Sequence, residues 1–298
     1  MGTDRLLLFD TASLYFRAFY GLPDSLTGTD GRPVNAVRGL LDFLARFVNE
    51  YSPTHVACCW DDDWRPAWRV DLIDTYKAHR VAADAGEDVP DTLSPQVPLI
   101  REVLTALGIP IIGHRGYEAD DIITTLAAQA SGPVDVITGD RDLFQVVDDY
   151  RQIRVLYVAR GVAKHERVND AWLRAKYGIT GAQYVDFAVL RGDPSDGLPG
   201  VKGIGEKTAA SLLGTYQTLD QIVAHLDELS PAIARALTAA ADYLGPAQQV
   251  VAGATGVDLD LPDLTLPSTP RDPKTWAGLA ERLNLGGSAD RILQSMRR

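Results

Sequence analysis

The sequence predicts an α/β fold with a mostly parallel sheet flanked by helices, followed by a region made only of helices. Two observations support this prediction. Short apolar runs alternate with helical patterns through the first half of the 298-residue chain, which is the arrangement of βαβ units. After about residue 167 the strand patterns end and helical patterns continue. We therefore expect residues 1–167 to form an α/β unit and residues 168–298 to form a helical unit.

The predicted elements follow in this order along the chain. In the first unit, strands are expected over residues 6–9, 55–60, 134–138 and 153–158, and helices over residues 34–49, 99–107 and 119–130. Residues 62–98, a polar stretch broken by proline and glycine, are predicted as a mobile insertion over the sheet edge. In the second unit, helices are expected over residues 170–177, 183–191, 207–213 and 231–244, with Gly214 as a helix C-cap. An extended connection over residues 253–274 leads to a last helical stretch over residues 276–296.

The composition indicates a soluble globular protein, with 46% hydrophobic and 23% charged residues. No apolar run is long enough for a signal peptide or a membrane span, so we expect a cytoplasmic protein. Cys58 and Cys59 are adjacent in a predicted strand and point to opposite faces, which argues against a disulfide between them. The net charge of −11 argues against binding nucleic acid by charge alone, unless many of the aspartates converge on divalent cations.

Carboxylates follow several of the predicted strands. Asp10 follows the first strand, Asp61 the second, and Asp140 with Asp142 the third. In open parallel sheets, binding and catalytic groups gather outside the carboxyl ends of the strands. Further acids lie in the runs YEADD and GDPSDG, namely Glu118, Asp120, Asp121, Asp193 and Asp196. Taken singly, each aspartate is more typical of a cap or turn, so the prediction depends on the whole set. Oxygen ligands without histidine or cysteine suit Mg²⁺ or Mn²⁺, and two such ions can support phosphodiester hydrolysis.

A glycine-rich stretch follows the last of these acids. Gly200, Gly203 and Gly205 precede a predicted helix start at Glu206 and Lys207. Backbone amides that glycine leaves accessible at a helix N-terminus can bind a phosphate of a nucleic-acid backbone. An ordinary Gly/Pro turn is the alternative explanation of this stretch.

Five ordered motifs between residues 10 and 209 resemble those of the bacterial 5′ nuclease, or flap endonuclease, family. They are DTASLYFRAFYG, TYKAHR, YEADD, TGDRDLFQ and GDPSDGLPGVKGIGEKTA. The chain is similar to the N-terminal 5′ nuclease domain of bacterial DNA polymerase I, but no polymerase domain follows, so a free-standing nuclease is expected. The resemblance implies a PIN-like sheet, a helical arch over about residues 62–98 and a helix-hairpin-helix over residues 192–214.

The resemblance also assigns roles to individual residues. It implies that two or more Mg²⁺ or Mn²⁺ ions are held, directly or through water, by Asp10, Asp61, Glu118, Asp120, Asp121, Asp140, Asp142, Asp193 and Asp196. Lys77 and Arg80 match the catalytic basic residues of the arch over the scissile phosphate, and Tyr76 beside them can stack on a base. Arg17 and Tyr20 match residues near the mouth of the active site. In the hairpin, which in this family often holds a monovalent cation such as K⁺, the DNA-binding positions are Gly200, Lys202, Gly203, Gly205, Lys207 and Thr208.

Two positions depart from the pattern of the family. The family commonly has Asn where this chain has Gly197, so a hydrogen bond near the Asp193 and Asp196 turn is expected to be missing. The segment DDWRPAWR is more acidic and more aromatic than in the family, which leaves the alignment of Arg65 and Arg69 open.

The predicted function is that of a structure-specific 5′ nuclease, a metal-dependent flap endonuclease and 5′-3′ exonuclease for primer removal and DNA repair. The expected partners are DNA with a 5′ flap, nick or single-strand/duplex junction and, functionally, a polymerase and a ligase. A monomer without a membrane partner is expected. A catalytically reduced protein that only binds branched DNA is the first alternative, and the retained acids argue against it. A PIN-type ribonuclease is the second, but it would not need the arch or the hairpin.

Overall fold

The computed structural model describes residues 4–82 and 86–297. Most of the insertion predicted over residues 62–98 falls within this part of the chain, although residues 83–85 lie outside it, as do the first three residues and the last one. Among the described residues, no helix combines the length and the apolar character that crossing a membrane requires.

A six-stranded sheet forms the centre of the molecule. Its strands are β1 (Leu6–Asp10), β2 (His55–Cys59), β3 (Ile111–Ile112), β4 (Val134–Thr138), β5 (Ile153–Tyr157) and β6 (Glu166–Val168). They lie in the order β3-β2-β1-β4-β5-β6, and neighbours are parallel except for β6, which pairs antiparallel to β5. The mostly parallel sheet and its four predicted strands are confirmed. Strands β3 and β6 were missed because runs of two and three residues are too short to show a periodic pattern.

Five helices accompany the sheet strands in the α/β unit. They are α1 (Thr11–Gly21), α2 (Asn35–Tyr51), α3 (Ala67–Leu72), α4 (Gln96–Leu107) and α5 (Ala119–Gln129). Helices α2, α4 and α5 confirm the three helices expected here. Helix α1 begins directly after β1, and its N-cap is Asp10, whose carboxylate accepts a hydrogen bond from the amide of Ser13. The first acid of the chain is therefore fixed by a strand end and a helix start together.

Eight helices follow in the second part of the chain. They are α6 (Asp170–Tyr177), α7 (Tyr184–Arg191), α8 (Glu206–Tyr216), α9 (Leu219–Ala224), α10 (Pro231–Ala239), α11 (Ala241–Val251), α12 (Pro273–Arg282) and α13 (Gly287–Met296). Two details of the prediction are wrong. Gly214 lies inside α8 and is not its C-cap, because the helix continues until Gln217 adopts a positive φ of 69°. The single helix expected over residues 231–244 is divided at Ala240, and Leu237 and Leu244 on its two sides belong to the same core cluster.

Two hydrophobic clusters cover the two faces of the sheet. Leu8 and Cys59 belong to one cluster, and Leu7 and Cys58 belong to the other. Both cysteines are buried and free, and they point to opposite faces as the strand alternation predicts. The last two helices pack on the first part of the chain: α12 contacts α4, and α13 contacts α2. Trp276 of α12 belongs to the same hydrophobic cluster as Leu7.

Candidate functional site

The parallel strands bring their terminal acids to one edge of the sheet. Asp10 is the last residue of β1, Asp61 lies just beyond β2, and Asp140 lies just beyond β4. Asp10 is 5% exposed, and its second carboxylate oxygen accepts a hydrogen bond of 2.6 Å from the hydroxyl of Thr138 at the end of β4. The register of β1 and β4 therefore determines where this carboxylate points.

A cleft with a volume of about 390 Å³ opens at this edge. Its acidic lining residues are Asp10, Asp61, Glu87, Glu118, Asp120, Asp140 and Asp193. A smaller cavity of about 20 Å³, enough for one water-sized species, adjoins it and is lined by Glu118, Asp120, Asp142 and Asp196. Eight of the nine predicted metal-site acids thus line two cavities that share Glu118 and Asp120.

Asp121 is the ninth acid, and the structure places it elsewhere. It is fully buried, and both of its oxygens accept hydrogen bonds from the guanidinium of Arg69, at 2.7 and 2.8 Å. The backbone amides of Glu118 and Ala254 also donate to it. Because Asp121 lines neither cavity and its oxygens are already occupied, the expectation that it binds a metal ion is corrected to a framework role.

Glu118 lines both cavities, and both of its carboxylate oxygens are bound by side chains of the protein. Its Oε2 accepts hydrogen bonds from Arg69, at 2.6 Å, and from the hydroxyl of Tyr76, at 2.7 Å, while its Oε1 is paired with the ammonium of Lys77. Tyr76 is only 4% exposed. The expected stacking of its ring on a base is therefore contradicted, because the ring packs in the core and the hydroxyl holds Glu118.

Arg69 is a residue beside the site that the sequence motifs did not indicate. It lies in α3 with 2% exposure, between the two parts of the chain. An indirect signal was present in the run YEADD, because three acids at the start of one helix imply a cation partner. The segment that contains it was predicted as a mobile insertion, and this is wrong for Arg69, Tyr76 and Leu93, all of which are buried.

The remaining cleft acids repel one another. Burial raises the pKa of Asp10 to about 6, and Asp140 adds to the shift. Burial likewise raises the pKa of Asp61 to about 7, with Asp10 and Glu118 contributing. The pKa values of Asp120 and Asp142 are raised well above the usual range, first by burial and then by neighbouring carboxylates. Such shifts report a site where the ionised carboxylates lack compensating positive charge.

The acids do not yet enclose a common ion position. Across residues 4–82 and 86–297, no three Asp, Glu, His or Cys side chains are grouped closely enough to hold a metal ion. Ionised carboxylates draw together only when a cation lies between them. The chemistry of the donor set is nonetheless that of a hard-cation site, because the lining acids are all oxygen donors and lie within one cleft and its inner cavity.

The basic residues of the arch segment, residues 62–98, reach the same cleft. Lys77 adopts a positive φ of 47°, and its amide donates to the carbonyl of Asp196 at 3.0 Å. Arg80 donates to the carbonyl of Ser195 at 2.8 Å and to the carboxylate of Asp196 at 3.0 Å. Burial alone would lower the pKa of Lys77, but Glu118 and other anionic neighbours outweigh it and raise the pKa. Both cations predicted for the phosphate therefore lie at the cleft and are engaged with its acids.

Gly197 is explained by the contact between the arch segment and the acidic turn. Its φ is 75°, and a Cβ atom there would lie 2.1 Å from the carbonyl oxygen of Thr75. The hydroxyl of Thr75 donates to the carbonyl of Gly197 at 2.8 Å. The hydrogen bond expected to be missing at this departure is thus replaced by a close backbone contact that only glycine allows.

The two residues predicted near the mouth have different surroundings. Arg17 lies in α1 beside Gly139, and its Nε is buried without a hydrogen-bond partner in the described part of the chain. Tyr20 is 72% exposed at the end of the same helix. Neither residue lines the cleft, so their expected roles in binding DNA stay predictions.

The glycine-rich stretch forms a hairpin that presents its backbone outward. Gly203 has a φ of 87°, and Cβ atoms added at Gly203 or Gly205 would meet nothing within 4 Å. Helix α8 begins after Gly205 without a side-chain cap. Lys202 and Lys207 are exposed beside it, and Thr208 is half-buried. Gly200 differs, because a Cβ there would lie 2.5 Å from the amide of Gly192, which makes this glycine a packing requirement.

Comparison with known proteins agrees with this arrangement. Residues 5–178 match the family model of the 5′-3′ exonuclease N-terminal resolvase-like domain, and residues 179–274 match that of the 5′-3′ exonuclease C-terminal SAM fold. A 5′-3′ exonuclease of Streptomyces coelicolor is 56% identical, over 97% of this chain and 99% of that protein. The chain belongs to the 5′-3′ exonuclease family. A 5′-3′ exonuclease of Mycobacterium tuberculosis is 47% identical, over 98% of this chain and 97% of that protein.

Further similarities are consistent with membership of this exonuclease family. DNA polymerase I of Mycobacterium tuberculosis is 42% identical over 78% of this chain but only 25% of its own length. Among solved structures, T5 5′-exonuclease with bound zinc ions has a TM-score of 0.65 at 15% identity, with 98% of both chains covered. The catalytic core of Rad2 in complex with DNA substrate has a TM-score of 0.60 at 15% identity, over 98% of this chain and 92% of that one. At these identities the structures establish the fold. The first family model covers the cleft acids up to Asp142, whereas Asp193, Asp196 and the hairpin lie in the second.

Proposed function

We propose that this member of the exonuclease family is a structure-specific 5′ nuclease that cleaves DNA near single-strand/duplex junctions with the help of divalent cations. One observation carries the proposal. Asp10, Asp61, Asp120, Asp140 and Asp142 lie around one cleft and its inner cavity, and none forms a salt bridge within the described part of the chain. A protein that gathers this much uncompensated charge at a strand edge is suited to bind cations.

These five acids are the residues that would hold Mg²⁺ or Mn²⁺, with Glu118, Asp193 and Asp196 beside them. Their oxygen donors fit hard cations, and the raised pKa values of Asp10 and Asp61 indicate a demand for positive charge. Bound ions of this kind would activate water and stabilise charge on a leaving phosphate oxygen. Asp193 and Asp196 are partly satisfied already, by Arg191 and Arg80, and would act more weakly.

Lys77 and Arg80 supply positive charge to the phosphate. Both line the cleft, and both form ion pairs with acids of the site. Charge-assisted hydrogen bonds from such groups matter most when charge develops on the transferring phosphate. Lys77 is paired with Glu118, so a contact with a phosphate would share or replace this partner.

The hairpin is proposed to hold the duplex arm of the substrate through its backbone amides, independently of base sequence. Lys202, Lys207 and Thr208 flank the open glycines on the surface, which supports this assignment. A monovalent cation such as K⁺ at this turn is part of the proposal. The DNA in the Rad2 complex supports a nucleic-acid substrate with this fold. The proposed cellular role is primer removal and DNA repair, together with a polymerase and a ligase. The protein would act in the cytoplasm as a monomer.

A single digestion experiment tests the proposed function. A duplex with a labelled 5′ flap is incubated with the protein in Mg²⁺, Mn²⁺ or EDTA, and the products are mapped at nucleotide resolution. We expect cuts close to the junction in either metal and none in EDTA, with Asp140→Asn as the inactive control. Binding of the flap without cleavage would favour the catalytically reduced alternative. Faster cleavage of single-stranded RNA than of the flap would favour a PIN-type ribonuclease.

A further inference from the structure

Arg69 joins three separate parts of the chain through one guanidinium. Its Nη1 donates to Glu118 Oε2 at 2.6 Å and to Asp121 Oδ2 at 2.8 Å, and its Nη2 donates to Asp121 Oδ1 at 2.7 Å. Its Nε donates to the carbonyl of Val250 at 2.9 Å, near the end of α11. The side chain therefore bridges α3, the first turn of α5 and the helical region that carries the hairpin.

This guanidinium stays charged although it is buried. Burial would lower the pKa of Arg69, but the hydrogen bonds and charges of Asp121 and Glu118 outweigh burial and raise the pKa. Its planar fork matches the two oxygens of Asp121, which is a geometry that a lysine cannot reproduce. The ring of Trp68 also lies 4.4 Å from the guanidinium carbon. The position of Arg69 is thus determined from several sides.

The consequence for Glu118 is a fixed orientation. Arg69 and Tyr76, which line the inner cavity, occupy Oε2, and only Oε1 remains for Lys77 or for a cation. A glutamate free to rotate could instead offer both oxygens, or turn out of the cleft. The backbone contact to Val250 additionally holds this arrangement against α11.

We propose that Arg69 is a positioning residue of the nuclease site, which acts through Glu118 by holding one of its oxygens so that the other one faces the cleft. The inference rests on the proposed metal-dependent cleavage. It adds a residue that does not line the cleft itself. Arg69 lines the inner cavity beside Glu118, and at 2% exposure it is too buried to touch a DNA strand.

Single-turnover cleavage of the flap substrate and calorimetric titration of Mn²⁺ test this proposal together. Arg69→Lys keeps a positive charge but loses the fork, and we expect its rate at saturating Mn²⁺ to fall at least about 30-fold, while its Mn²⁺ affinity changes less than about 3-fold, because the strand-end acids are intact. Arg69→Met should lower the rate further. A wild-type rate in Arg69→Lys would overturn the proposal, because charge alone would then be sufficient.

A double-mutant cycle shows whether Arg69 acts through Glu118. In a Glu118→Gln background, Arg69→Lys should change the rate less than about 3-fold, because the group that it positions is already altered. Independent effects that multiply would contradict the proposed route. If Arg69→Met does not fold, the cycle with Arg69→Lys still decides the matter.

Arg154 offers a matched control far from the cleft. It forms a 2.6 Å ion pair with the buried Asp135 of β4, so Arg154→Lys perturbs a comparable buried carboxylate. We expect Arg154→Lys to lower thermal stability and leave the cleavage rate unchanged. Equal rate losses in Arg154→Lys and Arg69→Lys would reduce Arg69 to a structural residue. If the wild-type protein neither binds Mn²⁺ nor cleaves the flap, the proposed function fails. If the wild-type protein cleaves the flap and Arg69→Lys cleaves it at the same rate, only the inference about Arg69 is refuted.

Discussion

Two neighbouring carboxylates at the start of α5 have opposite surroundings. Asp120 faces both cavities and, among the described residues, forms no hydrogen bond, while burial and the charges of Asp10 and Asp140 raise its pKa well above the usual range. Asp121 is fully buried and bound by Arg69 and two backbone amides. A run of identical residue types in one motif can therefore divide into a group that needs a cation and a group that already has one.

The same contrast separates the two sides of the cleft. On the sheet side, Asp10, Asp61 and Asp140 follow parallel strands and have no cation partner among the described residues. On the helical side, Asp193 is paired with Arg191 at 3.1 Å and Asp196 with Arg80 at 3.0 Å. A bound cation should therefore stabilise the acids of the sheet side most. The acids of the helical side are already held by arginine side chains.

The largest expected effect is a reversal between Asp120→Asn and Asp121→Asn. Asp120→Asn should reduce cleavage more than about 100-fold. It should also stabilise the metal-free protein by about 1 to 2 kcal/mol, since it removes a repulsive charge. Asp121→Asn leaves the buried Arg69 with less compensation and should destabilise the protein by about 3 kcal/mol. Thermal unfolding in EDTA and single-turnover cleavage in Mn²⁺ provide both quantities. If Asp120→Asn destabilised and Asp121→Asn did not, the contrast drawn here would be reversed.

The second prediction concerns the two cations of the arch segment. Lys77→Ala and Arg80→Ala should each raise the activation free energy of single-turnover cleavage by about 2 to 4 kcal/mol. The free energy of DNA binding should change less, because both side chains act as charge develops on the phosphate. Lys77→Ala should also tighten Mn²⁺ binding more than Arg80→Ala does, since Lys77 occupies the cleft-facing oxygen of Glu118. Calorimetry with Mn²⁺ separates the two variants. Equal losses of rate and of DNA binding would mean that both residues are simple backbone contacts.

The third prediction is the pH dependence of the sheet side. The folded pKa of Asp61, about 7, exceeds its ordinary value of 3.8, so the folded metal-free protein binds more protons between about pH 4 and 7. The contribution of this residue to stability therefore falls as the pH rises through that window. Asp61→Asn removes the effect, and the stability of the wild-type protein relative to this variant should drop by about 1 to 3 kcal/mol from pH 4.5 to 7.5 in EDTA. Mn²⁺ should bind more tightly over the same rise in pH, because the ions compete with protons. A difference between the two proteins that stays constant with pH would refute the assignment.

Prediction from the sequence succeeded where a local pattern carries the information. Strand periodicity placed Asp10, Asp61 and Asp140 at one sheet edge, because the carboxyl ends of parallel strands must meet there. It failed for Arg69 and Tyr76, whose burial depends on contacts with residues far along the chain, which no periodic pattern records. The break at Ala240 was not predicted either, because the alanine-rich sequence around it favours a continuous helix.

The smallest expected effects belong to the hairpin, which should depend on none of the cleft charges. Gly205→Ala adds a side chain where nothing lies within 4 Å, so its folding cost should be at most about 1 kcal/mol, whereas DNA binding through the neighbouring amides should weaken uniformly across sequences. Gly214→Ala, at an exposed position in the last turn of α8, is the matched control and should leave DNA affinity unchanged while stabilising the helix. Lys207→Ala should flatten the dependence of log affinity on log salt by about one unit. Fluorescence anisotropy in EDTA measures the DNA affinity of all three variants without cleavage. If Gly205→Ala bound flapped duplex normally and cut it slowly in Mn²⁺, the hairpin would belong to the chemical step, and the separation between a charged cleft and an independent grip on DNA would be wrong.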